Sequence, residues 1–256
     1  MKETKVKETR VALTPKSIEY LVEHEKHLVC VETGAGLGSG FSDRDYQRHG
    51  AKIVPTEVAY DQPLLVRVKE PPIETLQQGQ TIMGYLHVEK GQNPELLQAL
   101  IDKNVTAYAF EEIRDVQTGK RMVNLGFEAG VAGMFEGLRT YGKIREKERK
   151  ENPFKEIKPV QQYKTKEEAY EELRNINPHN IAARVAIAGY GNVSKGAQEV
   201  LAQLSHPPLI LTRKETTRNG SKPAIWSYLP NIDVLVNAVV WKPGDTRVLE
   251  KNELTR

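Results

Sequence analysis

The sequence predicts an α/β fold in two domains with mainly parallel sheets, and three observations predict it. Short apolar runs at residues 28–32, 53–54, 64–68, 81–86, 105–110, 209–212 and 232–240 are interleaved with helical patterns, the order of parallel strands joined by crossovers. Residues 184–201 pass from an apolar run through a glycine turn into a helical face of Val193, Ala197, Val200 and Leu201. From Lys143 to Lys166 the composition turns highly charged and holds Pro153 and Pro159, which reads as a linker. A chain of 256 residues is long enough for two modest cores. The expected division is residues 1–140 as a substrate-binding catalytic domain, 141–178 as charged linker and connecting helix, and 179–256 as a nucleotide-binding domain.

The first helix is expected within residues 11–27, with Thr14 as N-cap, Pro15 at the first position and Ile18, Leu21 and Val22 as its apolar face. A strand follows, then the glycine-rich stretch 33–40; no apolar helix succeeds it, so it reads as a mobile loop. The run at 64–68 ends in Lys69-Glu70-Pro71-Pro72, and the prolines stop the strand with Lys69 at its carboxyl end. The run at 81–86 ends at His87. Two strands thus finish in a residue able to move a proton, and in open α/β sheets ligands bind beyond the carboxyl ends of strands.

Small residues at 126, 129, 130, 132, 133 and 137 give the following helix a face that admits another backbone closely. Each helical glycine costs about 1 kcal/mol relative to alanine, so a packing reason is expected. The run at 232–240 reads as a fully buried strand of the same sheet as 209–212.

Composition excludes several classes. The formal charge of +3 is too small, and basic stripes with interleaved aromatics too few, to argue for nucleic acid. No apolar run approaches the roughly 20 residues that cross a bilayer, and the first residues carry no signal-peptide core, so a cytoplasmic protein is expected. The lone Cys30 makes neither an internal disulfide nor a cysteine metal cluster and reads as a buried, inert thiol. No metal site, nucleophile-elbow serine or P-loop lysine is present.

The turn Gly189-Tyr190-Gly191-Asn192-Val193-Ser194 has the order a dinucleotide needs: a glycine for the sharp turn, a second for close approach of a pyrophosphate, and a helix N-terminus. The third small position is Ser194 rather than glycine. Cofactor choice is read where the second strand ends, and there Thr212-Arg213-Lys214 replaces the acid that bonds a free ribose hydroxyl, so NADP is favoured over NAD. Asn237, on the strand beyond, completes the expected cofactor contacts. Hydride transfer to a carbonyl or imine needs a proton-exchanging group and cations for carboxylates, and Lys69, His87, Lys90, Arg10 and Arg121 supply those types.

The segments 2–15, 68–71 and 85–87 and the Gly189 turn resemble the superfamily of alanine dehydrogenases, pyridine nucleotide transhydrogenases and saccharopine dehydrogenases. His87-Val88-Glu89-Lys90-Gly91-Gln92 and the stretch from Gly119 to Gly133 look like the saccharopine branch, in which lysine–2-oxoglutarate reductases also fall. The resemblance implies two Rossmann-like domains with a cleft between them and an NAD(P)-dependent enzyme that interconverts saccharopine with lysine and 2-oxoglutarate. It puts the proton-transfer lysine on Lys69, the acid–base histidine on His87, and the carboxylate-binding cations on Arg10, Lys90 and Arg121. Alternatives are an alanine dehydrogenase, an opine-type dehydrogenase such as a carboxyethyl-ornithine synthase, or a nucleotide-binding module without turnover. Against the family pattern the second domain reads as truncated at its C-terminus, which implies either a fragment or incomplete gene model, or a chain whose site an oligomer or a completing partner finishes.

Overall fold

A computed structural model of the chain describes all residues except 90, 220, 221, 241–244, 251, 252 and 254–256. It divides into two compact units, Met1–Asn124 and Leu125–Arg256, each treated by itself.

The first unit runs α1 (Pro15–Glu23), β1 (Cys30–Glu32), α2 (Asp43–Arg48), β2 (Lys52–Val54), α3 (Thr56–Tyr60), β3 (Leu64–Lys69), β4 (Thr81–Tyr85), α4 (Pro94–Asp102) and β5 (Thr106–Ala109). The expected N-cap of α1 is in place: Thr14 Oγ1 accepts from the Ser17 amide at 3.2 Å, and Pro15 opens the helix. β1 pairs with β2, and β3, β4 and β5 form a second sheet in that order, all parallel. Ile18, Val31, Tyr46 and Ala51 close one small core. Leu65, Leu76, Ile82, Leu86, Leu96 and Leu100 close another beneath β3 and β4.

The glycine-rich stretch, expected as a mobile loop, is packed at Gly36 and Gly38. A Cβ on Gly36 would stand 2.5 Å from the Tyr46 ring, and one on Gly38 would touch Thr9, so backbone fills the space where side chains would stand. Cys30 is half-buried, not buried, and lines a surface cavity beside β3.

The second unit runs α5 (Gly126–Lys147), α6 (Lys166–Arg174), β6 (Val185–Ala188), α7 (Asn192–Gln203), β7 (Leu209–Leu211), α8 (Arg213–Thr216), the short pair β8 (Arg218–Asn219) and β9 (Lys222–Pro223), and β10 (Val234–Asn237). Its parallel sheet has the order β10-β6-β7, with β6 buried throughout. Arg184 and Asp233 fasten the start of β6 to that of β10: the Asp233 carboxylate accepts from the Arg184 amide at 2.8 Å and from its guanidinium at 3.0 and 3.2 Å.

The small-residue face of α5 is a helix crossing. A Cβ on Gly130 would lie 2.0 Å from the Val193 carbonyl oxygen of α7, and one on Gly196 would lie 2.0 Å from the Phe127 carbonyl oxygen of α5. Each helix is notched where the other's backbone passes.

Two readings change. The segment read as linker belongs to the second unit's core: α5 continues to Lys147, Phe154 and Ile157 are buried, and Val160 and Tyr163 pack on the same cluster. Its charges lie outside while its few apolar side chains turn inward. The strand at 232–240 is shorter, half-buried and at the edge of the described sheet, because β6 covers only one of its sides.

Candidate functional site

In the first unit, parallel strands bring Lys69 and His87 to one end of the β3-β4-β5 sheet. Lys69 ends β3 and is paired in register with Tyr85, which ends β4. Its ammonium makes no ion pair or hydrogen bond among the described residues. His87 lies two residues past β4, its ring 6.1 Å from that of Tyr85 at an interplanar angle of 27°.

His87 sits in the left-handed region, with φ 54°, a conformation that costs a non-glycine residue about 1 kcal/mol or more. Glu111 holds it there. The Glu111 carboxylate is 5 % exposed, and its Oε1 accepts from the His87 amide at 2.5 Å. The same oxygen lies 3.3 Å from His87 Nδ1 but is not aligned for a hydrogen bond, so that contact is electrostatic.

Arg10 approaches from the N-terminal segment already engaged. Its Nε and Nη2 donate to the two oxygens of Glu8 at 2.8 and 2.7 Å. The hydrogen bonds from Arg10 hold the Glu8 carboxyl below the usual glutamate range against the opposing effect of burial, and the charges of Arg10 and Lys69 add to this. Arg121, bridged to Arg114 by a short β-contact, gives Nη2 to Glu112 at 3.2 Å. Arg10 and Arg121 are therefore paired cations, unlike Lys69. Lys90 lies outside the described residues.

Sequence reading passed over Glu8, Tyr85 and Glu111. A signal for Glu111 existed: it follows the apolar run of β5 as His87 follows β4, a third strand end with an ionisable side chain.

In the second unit the turn after β6 has the shape a pyrophosphate needs. Gly189 has φ 104°, and a Cβ there would stand 2.9 Å from the Ala238 carbonyl oxygen, so this position requires glycine. Around Gly191 no described residue lies within 4 Å of where a Cβ would be, and as N-cap of α7 it offers the helix amides no side-chain acceptor. The first amides of α7, from Asn192, are thus left for a ligand. Ser194 is fully buried and bonded by Gln198 at 3.0 Å; close packing of this helix falls to Gly196 instead.

A cavity of about 630 Å³ is lined by Gly189, Tyr190, Gly191, Arg213, Thr217 and Val239, among others. A nicotinamide dinucleotide fits these residues in kind: a bare glycine turn, uncapped amides and an arginine at the next strand end. Thr212 does not line this cavity. Its hydroxyl donates to Glu215 Oε2 at 2.6 Å, and its amide donates to the same oxygen, in a capping box for α8. Asn237 lines a neighbouring cavity with Ala188 and Leu235. Among the described residues no group of three His, Cys, Asp or Glu could hold a metal ion, and no helix is long and apolar enough to cross a membrane.

The model of the family described as "Alanine dehydrogenase/PNT, N-terminal domain" matches residues 1–132. The chain belongs to this family. Within the alanine dehydrogenase/PNT family, the chain is 44% identical over 122 residues to an alanine dehydrogenase of Bacillus subtilis (strain 168), a match covering 46% of this chain and 31% of that protein. It is 40% identical over 118 residues to an alanine dehydrogenase of Methanococcus maripaludis, covering 44% and 31%. The match thus spans about a third of the length of these relatives. A solved L-alanine dehydrogenase superposes on 93% of this chain and 64% of its own with a TM-score of 0.65 and 25% identity. A transhydrogenase from Sinorhizobium meliloti shares the fold, with a TM-score of 0.61 at 19% identity, over 96% and 70%. The α/β fold with parallel, Rossmann-like sheets is thereby shown. The saccharopine reading is overturned, since these relatives are alanine dehydrogenases at 40–44% identity. It rests on the segment around Lys90 and the stretch from Gly119 to Gly133, whereas segments 2–15, 68–71 and 85–87 are features of the wider family.

Proposed function

We propose that the chain is the substrate-binding and nucleotide-binding part of an NAD(P)-dependent amino-acid dehydrogenase of the alanine dehydrogenase type, carrying out reversible oxidative deamination of L-alanine to pyruvate and ammonia. The observation that carries this is a Lys69 unpaired among the described residues and a carboxylate-backed His87 at the ends of adjacent parallel strands, inside the stretch that matches the family.

When bound, the nicotinamide dinucleotide supplies the hydride acceptor. Arg10 and Lys69 hold the substrate carboxylate and the oxygen that develops on the neighbouring carbon. His87 takes a proton from the water that adds to the imine and returns it as ammonia leaves, while Lys69 handles protons on the nitrogen. Glu111 keeps the His87 backbone and ring in place through both transfers. The paired state of Arg10 suits this task, because Glu8 fixes the plane of its guanidinium and leaves Nη1 for a carboxylate.

For the cofactor we infer NADP over NAD. The end of β7 offers Arg213 to the cavity, and Glu215, the nearest acid in sequence, is turned back onto Thr212. The test is L-alanine oxidation by the full chain with NAD and with NADP, with N-carboxyethyl amino acids as opine-type competitors, beside titration of NADH and NADPH. Turnover of alanine is the expected result, and Arg213→Ala should weaken NADPH by about tenfold and NADH by less. Turnover of only the N-carboxyethyl substrates would replace this reading with the opine type. Cofactor binding without any turnover would leave a nucleotide-binding module.

A further inference from the structure

The end of β3 is irregular in a way that bears on Lys69. Leu64, Leu65 and Val66 pair in order with Thr81, Ile82 and Met83, but the next pair is Lys69 with Tyr85, one residue later on β3 than a regular ladder gives. Side chains alternate faces along a strand, so one extra residue inverts the facing of every later side chain in it. A straight strand would put Lys69 with Leu65 and Arg67, over the buried side of Ile82. The bulge puts it instead with Val66, Met83 and Tyr85.

A bulge frees backbone donors, and here one carboxylate collects them. Glu3 Oε1 accepts from the Val68 amide at 2.7 Å and Glu3 Oε2 from the Lys69 amide at 3.1 Å. The Glu3 side chain is 3 % exposed, and Arg67, 1 % exposed, has Nη2 3.5 Å from Glu3 Oε2. Arg67 is itself held by the Tyr60 hydroxyl at 2.5 Å and the Thr4 hydroxyl at 3.1 Å. Two residues on, Lys5 is paired with Glu70 at 2.5 Å. The N-terminal segment thus clamps both sides of Lys69 in the chain. A buried ion pair is a poor source of net stability, because desolvation offsets most of its attraction, so its geometry calls for another reason.

We propose that Glu3, braced by Arg67, is a positioning residue: its carboxylate holds the β3 bulge that turns Lys69 out of the core and onto the face of Tyr85. This rests on the assignment of Lys69 as a working group of the site, and the test separates the two.

Trace acetylation of the full chain with acetic anhydride, read by mass spectrometry across about pH 7 to 11, compares Lys69 with the exposed Lys52 and requires no enzyme activity. In Glu3→Gln, with the far-UV circular dichroism of the wild type, the Lys69-to-Lys52 ratio should shift by about threefold or more, and kcat with L-alanine should fall about tenfold or more while KM for the coenzyme stays within about twofold. Glu3→Asp, which keeps the charge but draws the carboxylate back by one methylene, should shift the ratio in the same sense and serves where Glu3→Gln does not fold. A Lys69 labelling profile that superposes on the wild type in a folded Glu3 variant overturns the proposal, whatever happens to the melting temperature. A wild-type chain that fails to oxidise alanine removes the functional reading and leaves the labelling comparison intact. A shifted profile with unchanged kcat would leave Glu3 shaping the strand but reject Lys69 as the group it serves.

Discussion

Gly130→Ala and Gly133→Ala are three residues apart on one helix and should move stability in opposite directions. At Gly130 the added carbon would stand 2.0 Å from the Val193 carbonyl oxygen, 2.8 Å from its carbon and 3.0 Å from Cα. A carbon and a carbonyl oxygen sit in contact at roughly 3.3 Å, so α5 and α7 must part by about 1.3 Å. The obstacle is backbone, which cannot rotate aside as a side chain would. Overpacking of this kind costs about 1–3 kcal/mol, and alanine returns about 1 kcal/mol of helix propensity. With a clash this deep the packing loss wins, and Gly130→Ala should destabilise by about 1–2 kcal/mol. At Gly133 nothing lies within 4 Å of the added carbon, so only propensity acts and the variant should gain about 0.5–1 kcal/mol. Urea unfolding followed by circular dichroism measures both, with equal m-values as the check that only stability has changed. Val193 is in the first turn of α7, so Gly130→Ala should also weaken NADPH binding while Gly133→Ala leaves it alone. A Gly130→Ala protein as stable as Gly133→Ala would refute the notched crossing.

The site carries three further expectations. His87→Asn should lower kcat for alanine oxidation by about a hundredfold or more with folding intact, and Glu111→Gln should lower it less, since the proton carrier remains but its support is altered; equal turnover in wild type and His87→Asn would remove the assigned acid–base group. Arg10→Gln should raise KM for alanine and leave coenzyme titration unchanged, which initial rates against both ligands will show. Glu8 has its carboxyl held low in the folded state by Arg10, so its stabilising contribution is complete above the ordinary glutamate pKa and fades as pH falls through the depressed folded value. The melting-temperature gap between wild type and Glu8→Gln should therefore be widest near neutral pH and close in acid, and a gap that widened in acid would contradict the pairing.

Features written in one contiguous stretch were legible in the sequence. The glycine turn at 189–194, the strand ends at Lys69 and His87 and the small-residue face at 126–137 each come from local spacing, and each has the predicted local form. The rest escaped because it depends on residues far apart in the chain. Glu3 meets Val68 across 65 positions, and Glu111 meets His87 across 24, so each reads alone as one more solvated acid. The linker reading failed because Phe154, Ile157, Val160 and Tyr163 recur every third residue, a spacing that drifts off an α-helical face and misses the alternation of a strand, and they are outnumbered by charges. The substrate reading failed differently: residues common to a whole superfamily select a chemistry, and the few that looked branch-specific were not enough to select its substrate.

The extra residue in β3 makes chain length, and not only residue identity, a heritable constraint at this point. A deletion of one residue between Val66 and Lys69 would leave Lys69 on the face of Val66 and Tyr85 but abolish the bulge, taking from the strand either Arg67 or Val68, both buried, and with it the arrangement of amides that Glu3 gathers. Natural variation along this strand should therefore hold the count between Val66 and Pro71 fixed as strictly as the identities of Arg67 and Lys69.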